Sequence, residues 1–178
     1  SKLHAVQVNG VNVTGKNVSI CIIDSGINYT RPDLGGCFGA VCKVIAGWDQ
    51  RNNDPDPIGP DLSHATLVAL TAAGNGANGL NLGVAPDANI VAVKMFPDES
   101  NEGGTSDLLA SMQFCLDNAE KYSIKAISMS FGTPSPNLFS NYCDNFQPSR
   151  TLLMNEAVAK GIWPVAGSGN EGNTSAIS

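Results

Sequence analysis

The sequence contains no apolar run long enough to cross a bilayer, and no charged segment followed by an apolar one marks a signal peptide at its start. Basic residues are scarce as well, since 10 Lys and Arg stand against 16 Asp and Glu, for a net charge of −6. Because positive charge is not clustered, the charge pattern argues against binding to a nucleic-acid phosphate backbone. We expect neither a membrane nor a nucleic-acid partner.

Phosphate-binding loops are also missing. No G-x-G-x-x-G or Walker pattern follows the first predicted strand, which argues against a nucleotide-binding domain of the Rossmann or flavodoxin type. The 178 residues show no internal repeat or interdomain linker, and the Pro-, Ser- and Asn-rich stretch 133–150 is typical of a long surface loop. We therefore interpret residues 1–178 as one incomplete domain.

Five cysteines are many for a cytosolic chain of this size. Cys37 and Cys42 close a short glycine-rich loop, where free thiols would be prone to oxidation, so we predict a disulfide there. A zinc site is not favoured, because no second Cys or His pair follows at ligand spacing. The pairing of Cys21, Cys115 and Cys143 stays open; Cys21, in a predicted buried strand, fits a free thiol that packs as a small hydrophobe.

Four N-x-[S/T] sequons occur along the chain, at Asn12, Asn17, Asn28 and Asn173. Together with the cysteines they favour a secreted, disulfide-bonded glycoprotein of eukaryotic origin. We therefore expect an extracellular location.

Short β-branched runs alternate with helical patterns along the chain. The predicted strands are residues 17–23, 41–48, 90–95, 124–129 and 162–165. The predicted helices are residues 64–73, 105–119 and 151–160, with Thr105 or Ser106 capping the second and Ser149 the third. The first helix is small and apolar all round, which predicts a buried helix. The alternation predicts an α/β fold in which right-handed crossovers join a parallel sheet flanked by helices.

Three polar residues stand out where predicted strands end or a helix begins. Asp24 ends a buried strand before Gly26, His64 opens the small-residue helix, and Asn170 lies in a glycine-rich turn after the last strand. Singly, each has an ordinary interpretation: an Asx turn, a partly exposed histidine and a turn asparagine. Because parallel sheets collect chemistry at their carboxyl edge, we expect all three at that edge. His64 is the candidate acid–base group, since the other histidine, His4, lies in an unpatterned stretch.

These motifs and their order resemble those of the subtilisin-like serine protease family. D-S-G at 24–26, H-A-T-L-V-A at 64–69 and G-N-E-G at 169–172 match the family's aspartate, histidine and asparagine motifs. Further matches are R-P-D-L at 31–34, G-V-A-P at 83–86 and I-S-M-S-F-G at 127–132. The similarity therefore covers nearly the whole chain, and the loop between the two cysteines at 37 and 42 is similar to that of secreted fungal members.

The resemblance implies a three-layer subtilisin-like fold and a serine endopeptidase that acts on protein or peptide substrates. His64 would serve as general base, Asp24 would orient and stabilise its imidazole, and Asn170 would donate to the oxyanion. The resemblance also implies a set of substrate-binding residues: Gly103, Gly104, Ser130, Phe131, Gly132, Ala166, Gly167 and Ser168.

The family's nucleophile lies in a G-T-S-[M/A]-A motif after the asparagine, and no such motif follows Asn170 here. G-T-S at 104–106 precedes a helical pattern and lies between His64 and Asn170, so Ser106 is interpreted as a helix-start residue. We expect the serine on a following or separate segment, with such a C-terminal fragment as a partner. The alternative is a catalytically inactive, subtilase-like binding domain, favoured by the absent serine and by Ala65, where the family has glycine.

No catalytic cofactor is expected, and no residue is assigned to a catalytic metal. The family often binds a structural Ca²⁺ through the loop after the histidine helix, here residues 75–81, together with an aspartate that matches Asp33. Carbonyl and amide oxygens suit this hard cation. The loop has no carboxylate of its own, so the resemblance leaves a calcium site as an open alternative.

Overall fold

The computed structural model describes residues 7–79, 82–97, 102–132, 140 and 144–170. Several positions discussed above lie outside these residues: His4, Cys143, Asn173, Glu171, Gly172 and most of the loop 133–150.

A parallel sheet of five strands forms the centre of the described structure. Its strands are Ser19–Asp24 (β3), Val44–Asp49 (β4), Asn89–Lys94 (β5), Ile124–Met129 (β6) and Trp163–Ala166 (β7), after an antiparallel ribbon of Gln7–Val8 (β1) and Val11–Asn12 (β2). The helices are His64–Ala73 (α1), Thr105–Asp117 (α2) and Pro148–Ala159 (α3), with 3-10 turns at Pro32–Leu34 and Ala77–Gly79. The strand order β4-β5-β3-β6-β7 places β3 in the middle of the sheet. The predicted α/β fold with a parallel, helix-flanked sheet is confirmed.

Alternating side chains of the central strands fill two cores. Ile22 and Ala92 face α1, where they pack with Ala65 and Ala69. The intervening residues, including Ile23, face α2 and α3 on the opposite side. This double burial explains the continuous apolar run of β3, because each fully buried aliphatic side chain contributes about 1.5–3 kcal/mol.

The crossovers do not all share one hand, which corrects the prediction of right-handed connections throughout. The steps from β4 to β5, β5 to β6 and β6 to β7 all move in the same direction across the sheet. α2 and α3 pack against each other on one face, whereas α1 lies on the other. Two crossovers that move in the same direction across a sheet but pass over opposite faces have opposite hands. The crossover through α1 therefore has the opposite hand to those through α2 and α3. α1 therefore lies on the face toward which Ile22 and Asp24 point.

Two helix starts and one helix surface differ from the predictions. α2 is capped at Gly104, whose N–H donates to Asp107 Oδ2 at 3.0 Å, so neither Thr105 nor Ser106 is its cap. α3 begins at Pro148 after Gln147, which places Ser149 inside the helix; proline suits this position because the first helical N–H has no intrahelical partner. α1 buries only one side, and Leu67 on its outer side is 49% exposed.

Two disulfides join described cysteines. The predicted Cys37–Cys42 bridge is confirmed. Cys21 of β3 is bonded to Cys115 of α2, so the interpretation of Cys21 as a free thiol is wrong. Both residues are fully buried where α2 packs on the central strand, and that contact brings them within bonding distance. Among the helices of the described residues, none is both long and apolar enough to cross a membrane.

Candidate active site

Asp24 ends the central strand of the sheet and is 2% exposed. Gly26 follows two residues later with φ +92°, a conformation that L side chains rarely adopt, and it turns the chain away from the sheet. The Ser25 N–H donates to Asp24 Oδ1 at 2.7 Å, and the Met95 N–H donates to the Asp24 carbonyl at 2.7 Å. The bond from Met95 holds the Asp24 backbone at the carboxyl edge, and the bond from Ser25 offsets part of the cost of burying the carboxylate.

Ser63 ties the start of α1 to the turn after Asp24. Its hydroxyl donates to the Gly26 carbonyl at 2.9 Å and accepts from the Thr66 N–H at 3.2 Å as the N-cap of the helix. Thr66 Oγ1 in turn accepts from the Asn28 N–H at 2.9 Å. Sequence reasoning missed Ser63, although a serine directly before a predicted helix is a recognised cap signal.

His64 and Asp24 are brought together by this arrangement. His64 Nδ1 lies 3.0 Å from Asp24 Oδ1 and 2.9 Å from Oδ2. A carboxylate only accepts hydrogen bonds, so Nδ1–H is the donor, and this leaves Nε2 as the ring nitrogen that can take a proton. The His64 side chain is 56% exposed, whereas that of Asp24 is 3% exposed. The pair thus combines a buried, orienting carboxylate with an accessible base.

Ala65 and Leu70, which both stand where the family prefers glycine, are accommodated in the core. Ala65 is fully buried and Leu70 is 3% exposed, and both pack in the cluster beneath α1. The Ala65 methyl group points into this core, and His64 still makes both contacts with Asp24.

Lys94 ends β5, the neighbour of β3, and Asp49 ends β4 on the far side of β5; sequence reasoning missed both residues. Lys94 Nζ lies 3.3 Å from Asp49 Oδ2, and both side chains are almost completely buried. The available signal was a charged residue as the last position of an otherwise apolar strand, which is costly to bury without a partner.

Asn170 lies beyond the end of β7, at the edge of the sheet. It is exposed and follows Gly169, which has φ +94°. Within the described part of the chain it makes no hydrogen bond to Asp24 or His64. The structure therefore brings two of the three predicted catalytic residues into contact and leaves the third on a separate loop.

Six of the eight predicted substrate-binding residues border one cavity of about 260 Å³. They are Gly103, Gly104, Phe131, Gly132, Ala166 and Gly167. Hydrophobic side chains such as Met95, Phe96 and Met154 line its depth, and Arg150 borders it as well. The cavity lies between the loop before α2 and the ends of β6 and β7, so the topology gathers residues that are far apart in the chain.

Ser130 and Ser168, the other two predicted substrate-binding residues, do not border this cavity. Ser130 borders a second, more open depression of about 390 Å³, which also includes His64, Leu67 and Val84. Ser168 is exposed after β7. Ser106 is an exposed residue in the first turn of α2, which packs on the sheet face opposite α1.

Asp33 and Asn75, two of the residues suggested for calcium, have hydrogen-bond partners within the described part of the chain. Asp33 is fully buried, and its two carboxylate oxygens accept from Arg31 Nε and Nη2, each at 3.1 Å. Hydrogen bonds to Asp33 and then Asp61 raise the pKa of the Arg31 guanidinium further above its ordinary range. The Asn75 Oδ1 accepts from the Ala77 N–H at 2.9 Å. The Arg31 guanidinium thus neutralises the Asp33 carboxylate.

Comparison with known proteins decides the family. Residues 15–178 match the family model described as the subtilase family. The chain belongs to the subtilase family. It is similar to Subtilisin E of Bacillus subtilis (strain 168), with 31% identity over 179 residues that cover 100% of this chain and 41% of that protein. It is also similar to the Major intracellular serine protease of the same strain, with 29% identity over 174 residues, 96% of this chain and 48% of that protein.

Solved structures give the same result for the fold. Sphericase superposes with a TM-score of 0.66 and 27% identity over 93% of this chain and 51% of that one. The subtilase chain therefore spans about half the length of the relatives that it matches, 41% and 48% for the two proteins above.

Proposed function

We propose that this subtilase chain carries the acid–base part of a serine endopeptidase site. The observation that carries the proposal is the contact of His64 Nδ1 with both oxygens of the buried Asp24, at 3.0 and 2.9 Å, on an otherwise accessible imidazole. His64 Nε2 would take the proton of a serine hydroxyl as that oxygen attacks the scissile carbonyl. His64 would then return the proton to the leaving amine.

Asp24 would hold the Nδ1–H tautomer and stabilise the imidazolium that forms during attack. Asn170 would donate its side-chain amide to the oxyanion of the tetrahedral intermediate. These are the roles established for the family's triad and asparagine, and the residues match the family's motifs one by one. For Asn170 the support is this match and its position on a glycine-flanked turn at the carboxyl edge.

We further propose that the serine lies on a segment outside residues 1–178 that packs on this chain. The support is exposed apolar side chains on the edge strand and next to His64. Trp163 and Val165 of the edge strand β7 are 73% and 58% exposed, and Leu67 and Val84 next to His64 are 49% and 53% exposed. Exposed apolar side chains of this size are expected where another segment covers them.

Substrate would bind as an extended chain along Gly103 and Gly104 on one side and residues 130–132 on the other. Backbone pairing of this kind needs small residues that allow close approach. One side chain of the substrate would enter the cavity of about 260 Å³, whose apolar depth suits an apolar side chain.

An extracellular location is part of the proposal. Two disulfides, one of them between residues 94 positions apart, are typical of oxidising compartments. Asn12 and Asn28 lie in exposed or partly exposed segments, where a glycan could be attached to their sequons.

The test uses the polypeptide that contains this chain together with the serine-bearing segment. We expect hydrolysis of a peptide substrate and labelling by a fluorophosphonate at a serine outside residues 1–178. His64→Ala should abolish both within detection, whereas the matched control His4→Ala should retain parental activity. Labelling at Ser106, or activity that survives His64→Ala, would contradict the proposal. A folded, unlabelled and inactive protein would instead indicate the binding-domain alternative.

A further inference from the structure

Three charged residues end three neighbouring strands in register. Asp24 of β3 pairs with Lys94 of β5, and Lys94 pairs with Asp49 of β4. Paired residues of parallel strands point to the same face of the sheet, so the three side chains form a row with the cation between two carboxylates. We call Asp24, Lys94 and Asp49 the charge row.

The charge row is buried. Asp24, Lys94 and Asp49 are 2%, 4% and 1% exposed. Lys94 Nζ contacts Asp49 Oδ2 at 3.3 Å. Charges so far from solvent interact more strongly than charges at the surface, and they are screened less by salt. The three charges of the row therefore interact strongly with one another.

Asp49 is held in place independently of Lys94. Its Oδ1 accepts from the Arg51 and Asn52 N–H groups at 2.7 and 3.1 Å, and its Oδ2 accepts from Asn52 Nδ2 at 3.1 Å. These bonds fix one end of the row, so the position of the Lys94 ammonium is fixed with it.

The stem of Lys94 packs on the turn that follows Asp24. A Cβ atom added at Gly26 would lie 2.8 Å from Lys94 Cδ, so the two residues are in close contact. The Gly26 carbonyl in turn accepts from Ser63, the cap of the helix that carries His64. Lys94 thus contacts the same turn that connects Asp24 to His64.

The other charged groups near this edge have their own partners. Arg51 Nη2 binds Asp107 at 2.7 Å, and Arg31 Nη1 binds Asp61 at 3.2 Å. On the described elements packed against Asp24, the facing charges are therefore those of the row and the His64 imidazole. Without Lys94, two buried carboxylates would face each other across a single strand.

We propose that Lys94 is a positioning residue, whose ammonium balances the Asp24 and Asp49 carboxylates and whose stem holds the turn after Asp24, so that Asp24 can orient His64. The electrostatic part of this proposal stands on the charge row alone. Its consequence for catalysis rests on the proposed peptidase function.

The test measures the titration of the His64 imidazole by NMR in the complete polypeptide. The histidines are isotope-labelled, and the His64 signal is identified as the one that is lost in His64→Gln. Lys94→Met leaves two anions near the imidazole, so the titration midpoint should rise by about 0.5–1 pH unit. Asp49→Asn removes an anion and should lower the midpoint. Lys94→Arg keeps the charge and should keep the midpoint near that of the parent.

A purely structural role of Lys94 would not shift the His64 midpoint in opposite directions in Lys94→Met and Asp49→Asn. Midpoints that do not move, or that move in the same direction, would overturn the proposal. If Lys94→Met does not fold, the Asp49→Asn and Lys94→Arg pair decides the same question.

Peptidase assays separate this inference from the proposed function. In an active enzyme, Lys94→Met should lower kcat more than it raises KM, Lys94→Arg should restore most of kcat, and the acidic limb of the kcat/KM profile should follow the NMR midpoint. A protein with no activity but with the expected NMR shifts would contradict the proposed peptidase function and support the proposed role of Lys94.

Discussion

At the scale of single residues, Ser63 shows how one hydroxyl joins two functional side chains. It donates to the turn after Asp24 and accepts from the first turn of the helix that His64 begins. A group with both contacts constrains the Asp24–His64 geometry as well as the helix. Its removal should therefore affect stability and, in an active enzyme, the positioning of the imidazole.

We predict that Ser63→Ala lowers the free energy of unfolding by about 0.5–2 kcal/mol, because α1 loses its N-cap. Denaturant unfolding measures this change. The matched control is Ser106→Ala, an exposed serine in the first turn of α2 that is not its cap, and it should stay within about 0.5 kcal/mol of the parent. Equal effects of the two substitutions would contradict the assigned role of Ser63.

Tyr29 provides a pH dependence at the same scale. Burial, followed by a hydrogen bond to Asp56 and its charge, raises the pKa of the Tyr29 phenol from 10.0 to about 12. The folded protein then holds this proton more tightly than the unfolded chain does, so stability is lost as pH rises from about 10 to about 12. Ultraviolet difference titration should show a late phenol transition that Tyr29→Phe removes. A normal midpoint near 10 for every tyrosine would contradict this prediction.

At the scale of elements, Arg31 acts as an internal cation between the 3-10 turn Pro32–Leu34 and the loop before α1. It binds the buried Asp33 through two hydrogen bonds and reaches Asp61 through a third. The guanidinium already supplies the positive charge that the buried carboxylate needs. The structure therefore favours an arginine rather than calcium as the ion that neutralises Asp33.

We predict that a chelator leaves Tm unchanged, whereas Arg31→Met lowers stability by about 1–3 kcal/mol, because Asp33 remains buried and loses its cation. Thermal unfolding with and without EDTA measures both effects. Lys160→Met is the control, since it breaks only a partly exposed i,i+4 pair with Glu156 and should change stability by less than about 0.5 kcal/mol. A fall in Tm on chelation would revive the calcium hypothesis.

At the scale of the whole molecule, the Cys21–Cys115 disulfide joins the central strand to α2 across 94 residues of sequence. The Cys37–Cys42 disulfide spans only 5. In the chain-entropy account, a bridge stabilises by restricting the unfolded chain, and the effect increases with the length of the closed loop. The two bridges therefore form a natural pair for comparison.

We predict that replacing Cys21 and Cys115 together by alanine lowers the free energy of unfolding by about 2–5 kcal/mol. Replacing Cys37 and Cys42 together by alanine should cost less, because that loop is short and lies at the surface. Calorimetry of both double variants under the same conditions decides the order. A larger loss for the short-loop variant would contradict the entropic account of the long bridge.

The sequence by itself determined the local elements and the composition of the site. The α1 bounds 64–73 and the β6 bounds 124–129 were predicted to the residue, and the other four strands of the parallel sheet were predicted to within three residues at either end, whereas the β1–β2 ribbon was not predicted. The meeting of Asp24 and His64 was also predictable, because a strand end and the start of the next helix of a parallel sheet share its carboxyl edge. The Cys37–Cys42 bridge followed from a short loop that leaves its ends close together.

The tertiary structure alone decided what depends on contacts between distant segments. Cys21 forms a disulfide with Cys115 only because α2 packs over β3. Lys94 lies between Asp24 and Asp49 only because β5 lies between β3 and β4 in the sheet. The face that α1 covers is likewise a property of the assembled sheet. Periodicity reports which side of an element is apolar, but strand order and register arise from the packing of the whole domain. Those long-range contacts are therefore absent from any local pattern.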